Sequence, residues 1–194
     1  DLALLRIVKQ LGLSEGIYVD AGAYHPIFGS NTLLLHKQGW RGINVDLAAE
    51  RVASFARYRP QDYNVTACLS DGVKSVQIAH YEISSTDRIL DPGDGENLSA
   101  AGYKPVRHSG AITTTLTRII EGSPFQFDEI QYLNVDCEGH DLSVLRGLDF
   151  SRCRPQIISF EAASATERDS TLGFLEGYGY RLEVILPPTC ILIR

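Results

Sequence analysis

The chain has 194 residues, 18 basic against 24 acidic, for a formal net charge of −6. That length suits one ordinary domain burying roughly two thirds of its unfolded surface. No window is rich enough in Lys and Arg to track a phosphate backbone, so nucleic acid is not expected as a partner. Apolar runs such as Ile157-Ile158-Ser159-Phe160 and Ile191-Leu192-Ile193 fall far short of the roughly 20 residues a membrane span needs. The four cysteines, Cys68, Cys137, Cys153 and Cys190, form no C-x-x-C pair, and no charged start with an apolar segment opens the chain. Reduced thiols and a cytoplasmic location are the expectation.

Apolar residues at Leu2, Leu4, Leu5, Val8 and Leu11 have helical spacing, and Gly12 stops the helix. Ile17-Tyr18-Val19 then reads as a buried strand that breaks at Asp20-Ala21-Gly22. Ser30-Asn31-Thr32 offers caps for a helix over Leu33 to Gln38, with Gly39 as its stop. A second strand over Gly42 to Asp46, a helix over Glu50 to Tyr58 closed by Arg59-Pro60, and a third strand over Tyr63 to Leu69 follow. Ser75 to Tyr81 reads as one more strand.

The stretch from Glu82 to Gly110 is polar, glycine-rich and carries Pro92 and Pro105, so it is expected to be an irregular lid or acceptor loop. A short strand over Ile112 to Thr115 and a helix over Leu116 to Glu121 come next. A fourth strand over Gln131 to Asp136, a helix over Leu142 to Leu148, a fifth strand over Gln156 to Glu161, a helix near Ser170 to Tyr178 and strands over Arg181 to Leu186 and Ile191 to Arg194 complete the chain. The alternation predicts an α/β fold with a mostly parallel sheet and helices on both faces. Because Leu186-Pro187-Pro188-Thr189 is too short for a crossover, the last strand is expected to run antiparallel to its neighbour.

Four acids fall at or just after strand ends: Asp20, Asp46, Asp136 and Glu161. In a parallel sheet those ends share one edge, where ligands bind, so the four carboxylates are expected to converge on one crevice. With Gly22 as the first glycine of a G-x-G-x-x-G pattern, Tyr24 and Ile27 stand where the later glycines would be, and a pyrophosphate would meet side chains. A cationic, phosphate-free ligand suits Asp20 better, and S-adenosylmethionine is one. Asp46 stands where an acid accepts both ribose hydroxyls; as a bare turn or cap acid it would need no ligand. Gly22, Ala23, Asn31 and Asp71 complete the candidate cofactor set with Asp20, Asp46 and Asp136.

Asp136-Cys137-Glu138-Gly139-His140-Asp141 packs three acids and a histidine into six residues. Such a run can activate a hydroxyl, hold a divalent metal or cap the next helix. His140 is the first candidate base and His25, held in a loop by Pro26, the second; His25 serves equally well as a hydrogen-bonding loop residue. The metal alternative uses Asp136, Glu138 and Glu161, which would suit magnesium or calcium. Glu161 also serves as a structural acid paired with Arg154. His36, His80 and His108 read as surface or packing residues, and Trp40 as core.

The blocks Tyr18 to Pro26, Ser30-Asn31-Thr32, Gly39 to Asp46, Arg59-Pro60, Leu133 to Asp141 and Arg154-Pro155 together resemble the FkbM-type S-adenosylmethionine-dependent methyltransferases. The resemblance covers about Gly16 to Glu161. It implies a class I methyltransferase fold, a seven-stranded Rossmann-like sheet with an antiparallel last strand, and methyl transfer to an oxygen of a sugar, polyketide or similar hydroxylated small molecule. By the same resemblance Asp20 and Gly22 match the first cofactor motif, Asp46 the ribose acid, and Asp136 the motif beside the transferred methyl. Ser84 to Gly110, where an acceptor would be selected, matches weakly. A non-catalytic nucleoside-binding module and a dinucleotide dehydrogenase are the rival readings.

Overall fold

A computed structural model describes residues 2–82, 87–90 and 104–194. Its helices are α1 (Leu2–Gln10), α2 (Leu33–Lys37), α3 (Ala49–Tyr58), α4 (Leu116–Glu121), α5 (Asp141–Arg146) and α6 (Ala165–Glu176). Its strands are β1 (Ile17–Ala21), β2 (Arg41–Asp46), β3 (Tyr63–Thr66), β4 (Cys68–Leu69), β5 (Ser75–His80), β6 (Arg88–Ile89), β7 (Arg107–Thr114), β8 (Ile130–Val135), β9 (Ile157–Glu161), β10 (Arg181–Leu186) and β11 (Thr189–Ile193).

The main sheet has seven strands in the order β10-β11-β9-β8-β1-β2-β3. Strands β9, β8, β1, β2 and β3 pair in parallel, while β11 runs antiparallel to both β9 and β10. This is the α/β arrangement of class I methyltransferases, and it follows from the sequence pattern: strands buried on both faces read as continuous apolar runs. Val19, Ala21, Ile43, Val45, Leu133, Val135, Ile158 and Phe160 meet Leu116, Ile120, Val144, Leu145 and Leu175 of the helices in one large core. Trp40 is packed with Tyr18, Leu35 and α1 in a second.

Two expectations change. The run Tyr63 to Leu69 is not one strand: it leaves the main sheet after Thr66, and Cys68–Leu69 pairs with β7 in a separate four-stranded sheet of order β4-β7-β5-β6. The C-terminal part of the expected lid is also regular, because Arg107–Ile112 of β7 pairs antiparallel with β5 from His80 to Ser75. Cys68, Ile78 and Ile89 form the small core beneath this sheet. Arg88–Ile89, also inside the expected lid, is β6 and pairs antiparallel with β5, while residues 83–86 and 91–103 lie outside the described residues. Helix α6 begins at Ala165, five residues earlier than its apolar spacing indicates, because Ser164 caps it by accepting from the Glu167 amide.

Candidate functional site

At the carboxyl edge of the main sheet, register sets which side chains share a level. Ala21 pairs with Val45 and Val135, and Val135 pairs with Phe160, so the next residues, Gly22, Asp46, Asp136 and Glu161, form the outer row. Two residues earlier, on the same face of each strand, Asp20 pairs with Asn44 and Asn134, and Asn134 with Ser159. Two strand residues span about 6.6 Å, so Asp20 sits one full layer below the acids with which the sequence grouped it.

That layer explains its surroundings. Asp20 is buried, with Oδ2 accepting from the Thr32 hydroxyl at 2.7 Å and Oδ1 from the Asn134 amide at 2.9 Å. Asn134 in turn accepts from the Ser159 hydroxyl at 2.6 Å. Burial pushes the Asp20 carboxyl above its usual range, and these donors partly offset it. Asp20 therefore ties three elements together and is not in the cavity wall. Thr32, expected as a side-chain cap of α2, caps nothing there because its hydroxyl is spent on Asp20.

The cavity above this layer is lined by Gly22, Ala23 and Tyr24 after β1, Asp46 and Leu47 after β2, Cys68 and Leu69, and Asp136, Cys137 and Glu138 after β8. Asn31, Arg51 and His140 contribute from helices or their approaches, and Asp87, Arg88 and Ile89 from the small sheet. Gly22 has φ +79°, and a Cβ there would lie 1.8 Å from the Asp136 carbonyl oxygen, so only glycine lets the β1 loop pass the end of β8.

Asp46 is nearly buried: Oδ2 accepts from the Tyr24 amide and Oδ1 from the Ala48 amide, both at 2.9 Å. Arg51 Nη1 lies 3.2 Å from Oδ1 and 3.4 Å from Oδ2. Arg88 pairs with Glu138 at 3.6 Å. With four carboxylates and two arginines in the wall and no lysine, the cavity is net acidic.

Asp136 is strongly perturbed. Burial, followed by the Glu161, Asp141, Glu138 and Asp20 carboxylates, pushes its carboxyl up to about 8. Among the described residues no hydrogen-bond donor reaches that carboxyl. A cationic ligand beside it would supply the missing partner. Asp141 has the opposite arrangement: Oδ1 accepts from the Cys137 amide at 2.8 Å and Oδ2 from the Glu161 amide at 2.9 Å, fastening the β8 loop to β9. Burial still holds its carboxyl up at about 7. His140 is buried in the cavity wall with Nε2 2.9 Å from the Ser70 hydroxyl.

Other sequence candidates lie elsewhere. His25 is outside the cavity wall; its Nδ1 accepts from the Ile27 and Phe28 amides at 3.0 Å, which is the loop-holding alternative. Asp71 is on the surface, bound to Lys74 at 2.9 Å. Glu161 accepts from Thr189 at 3.3 Å and lines a neighbouring cavity with Gly139, Asp141, Ser143 and Thr171, while Arg154 donates to the Phe150 carbonyl instead. Glu138 turns to Arg88, so the trio Asp136, Glu138 and Glu161 is not gathered. Among the described residues no group of three or more His, Cys, Asp or Glu is placed to hold a metal ion.

Sequence reading missed Arg59, Arg51 and Asp87. Buried Arg59 donates to the Pro26 carbonyl, to Ser30 at 2.8 Å and to Thr32 at 2.8 Å, clamping the whole β1 loop from the far end of α3. In the sequence, Arg59-Pro60 reads as a helix stop and a family block, neither of which points to a buried clamp.

The cofactor fits this cavity on its own chemistry. The apolar group Leu47, Cys68, Leu69 and Ile89 suits a base, Asp46 lies beside it on the next strand, and the glycine loop and the donor-poor Asp136 follow in strand order. A family model described as the methyltransferase FkbM domain matches residues 20–182. No curated protein matches the chain. Among solved structures, a precorrin-6y C5,15-methyltransferase from Geobacter metallireducens aligns at 12% identity and TM-score 0.46, covering 97% of this chain and 84% of that one. A SAM dependent methyltransferase from Aquifex aeolicus aligns at 11% identity and TM-score 0.38, covering 98% and 89%. The family match spans most of the sequence and carries the assignment: this chain belongs to the FkbM methyltransferase domain family and is an S-adenosylmethionine-dependent methyltransferase.

Proposed function

We propose that the enzyme transfers a methyl group to a hydroxyl oxygen of a small polyhydroxylated molecule, a sugar, polyketide or similar compound, with Asp136 taking the hydroxyl proton. The observation that carries this reading is the Asp136 carboxyl itself, in the cavity wall, pushed up to about 8 and with no donor to it among the described residues. S-adenosylmethionine, when bound, supplies a methyl on a positively charged sulfur. Beside that charge Asp136 is held as a carboxylate. Methyl transfer to the acceptor oxygen would remove that positive charge, so the Asp136 carboxylate would recover its high proton affinity and take the acceptor's hydroxyl proton.

Asp46 and Ala23 would position the nucleoside, with most of the acceleration coming from alignment. The neighbouring cavity, lined by Ser143, Thr166, Ser170 and Thr171 with Asp141 and Glu161, offers hydroxyl and carboxylate partners to a polyhydroxylated acceptor. His140 is the second candidate base, with Nε2 already engaged by Ser70. The four free thiols support a cytoplasmic setting.

The test is release of the demethylated cofactor from a panel of hydroxyl, amine and thiol acceptors. Turnover confined to hydroxyl compounds, with Asp136→Asn lowering kcat by roughly 10²- to 10³-fold, is the expected result. Turnover on amines or thiols alone would overturn oxygen transfer, and cofactor binding without any turnover would favour the non-catalytic reading.

A further inference from the structure

Resting on the assignment of Asp46 to the cofactor ribose, we propose that Arg51 is a positioning residue that leaves Asp46 for Asp87 when the ribose binds, coupling cofactor occupancy to the small sheet. A carboxylate offers about four acceptor positions. In Asp46 two are held by the Tyr24 and Ala48 amides and the other two face Arg51 Nη1. A ribose diol needs two. The backbone amides are fixed by the loops that carry them, so Arg51 is the partner that must give way.

Its destination is already in reach. Arg51 Nη2 stands 3.9 Å from Asp87 Oδ2. A charge-assisted pair closes to about 2.8 Å, so a guanidinium shift of roughly 1 Å completes the contact. Asp87 has room: among the described residues Oδ1 accepts from the Tyr81 amide at 2.9 Å and Oδ2 meets His80 Nδ1 at 2.8 Å, which leaves one position on each oxygen. His80 Nε2 meets the Ser109 hydroxyl at 2.7 Å, so Asp87 is braced across β5 and β7. The Arg51 guanidinium lies over the Tyr24 ring, 5.0 Å from its centroid, which guides it along the cavity wall. Asp87 directly precedes β6, whose neighbours Arg88 and Ile89 also line the cavity. Cofactor binding thereby tightens the wall on the small-sheet side before an acceptor enters.

The test uses S-adenosylmethionine alone, with calorimetry for affinity and hydrogen exchange at the Leu90 amide, which donates to the Gln77 carbonyl at 2.9 Å and reports on β6. In the wild type the cofactor should slow Leu90 exchange about tenfold. Arg51→Leu should bind the cofactor as well as or better than the wild type, with that slowing lost. Asp87→Asn, which keeps the Tyr81 contact, should weaken binding by about three- to tenfold. Adding Arg51→Leu should restore it, a non-additivity that damage to the fold would not produce. If the two substitutions simply add, or if Leu90 is slowed equally in Arg51→Leu, the handover is overturned while the cofactor site stands. Failure of the wild type to bind the cofactor would overturn both.

Discussion

Asp136 and Gly22 are neighbours whose demands differ in kind. At Gly22 the demand is steric: Gly22→Ala would drive a Cβ into the Asp136 carbonyl at a backbone conformation unfavourable to it. It should cost about 2–4 kcal/mol in chemical denaturation. Gly29→Ala is the control, since φ is +67° there but nothing lies within 4 Å, and its cost should stay near 1 kcal/mol. At Asp136 the demand is electrostatic. Because burial and neighbouring carboxylates push its folded carboxyl up to about 8, against about 4 unfolded, Asp136→Asn should stabilise the cofactor-free protein at pH 8 by several kcal/mol, up to about 5, read as a melting temperature about 10 °C or more higher. The same change should abolish most activity, the trade expected when a site keeps an unfavourable charge for function.

Among elements, α3 does the most unanticipated work. Arg59 at its end is buried beneath the β1 loop, contacting Pro26, Ser30, Thr32 and Tyr18, and Tyr18 bonds to Asp62. Arg59→Met should cost about 3–5 kcal/mol, because the Pro26, Ser30, Thr32 and Tyr18 acceptors would lose their buried donor and Asp20 the nearby positive charge. Arg59→Lys should recover only part of it, since an ammonium cannot span the acceptors of a planar fork. Helices α1, α3 and α4 and the parallel strands were legible because periodicity and Pro, Gly or Thr boundaries mark them locally. The small sheet was not: β5 meets β7 across a connection of 26 residues, and β4 leaves β3 within one residue, a divergence no local pattern records. The level of Asp20 was equally illegible, since a one-layer offset appears only when register is fixed across strands.

For the whole molecule, the acids of the site set the response to pH. Asp136 near 8 and Asp141 near 7 hold protons in the folded state that unfolded carboxyls release near pH 4. Their stabilisation is full below that value and disappears as pH rises through 7 to 8, so the cofactor-free enzyme should melt highest near pH 5 and progressively lower towards pH 9. A saturating cationic cofactor should flatten this dependence, and at one hundred times Kd should add about 2.7 kcal/mol. A melting profile that climbs between pH 6 and 9 would contradict the arrangement of these carboxylates.

Short stretches of chain carry the alternating α/β pattern, the antiparallel end and the family blocks, because each rests on residues close together in the sequence. Tertiary structure decided which acids meet: Asp46 and Asp136 enter one cavity, Asp20 drops a layer to hold Thr32 and Asn134, and Glu161 turns to the cavity next door. It also supplied Arg51 with two carboxylates to choose between. Strand register and the pairing of distant segments fix those neighbours, and both are properties of the assembled sheets that no single stretch of chain contains.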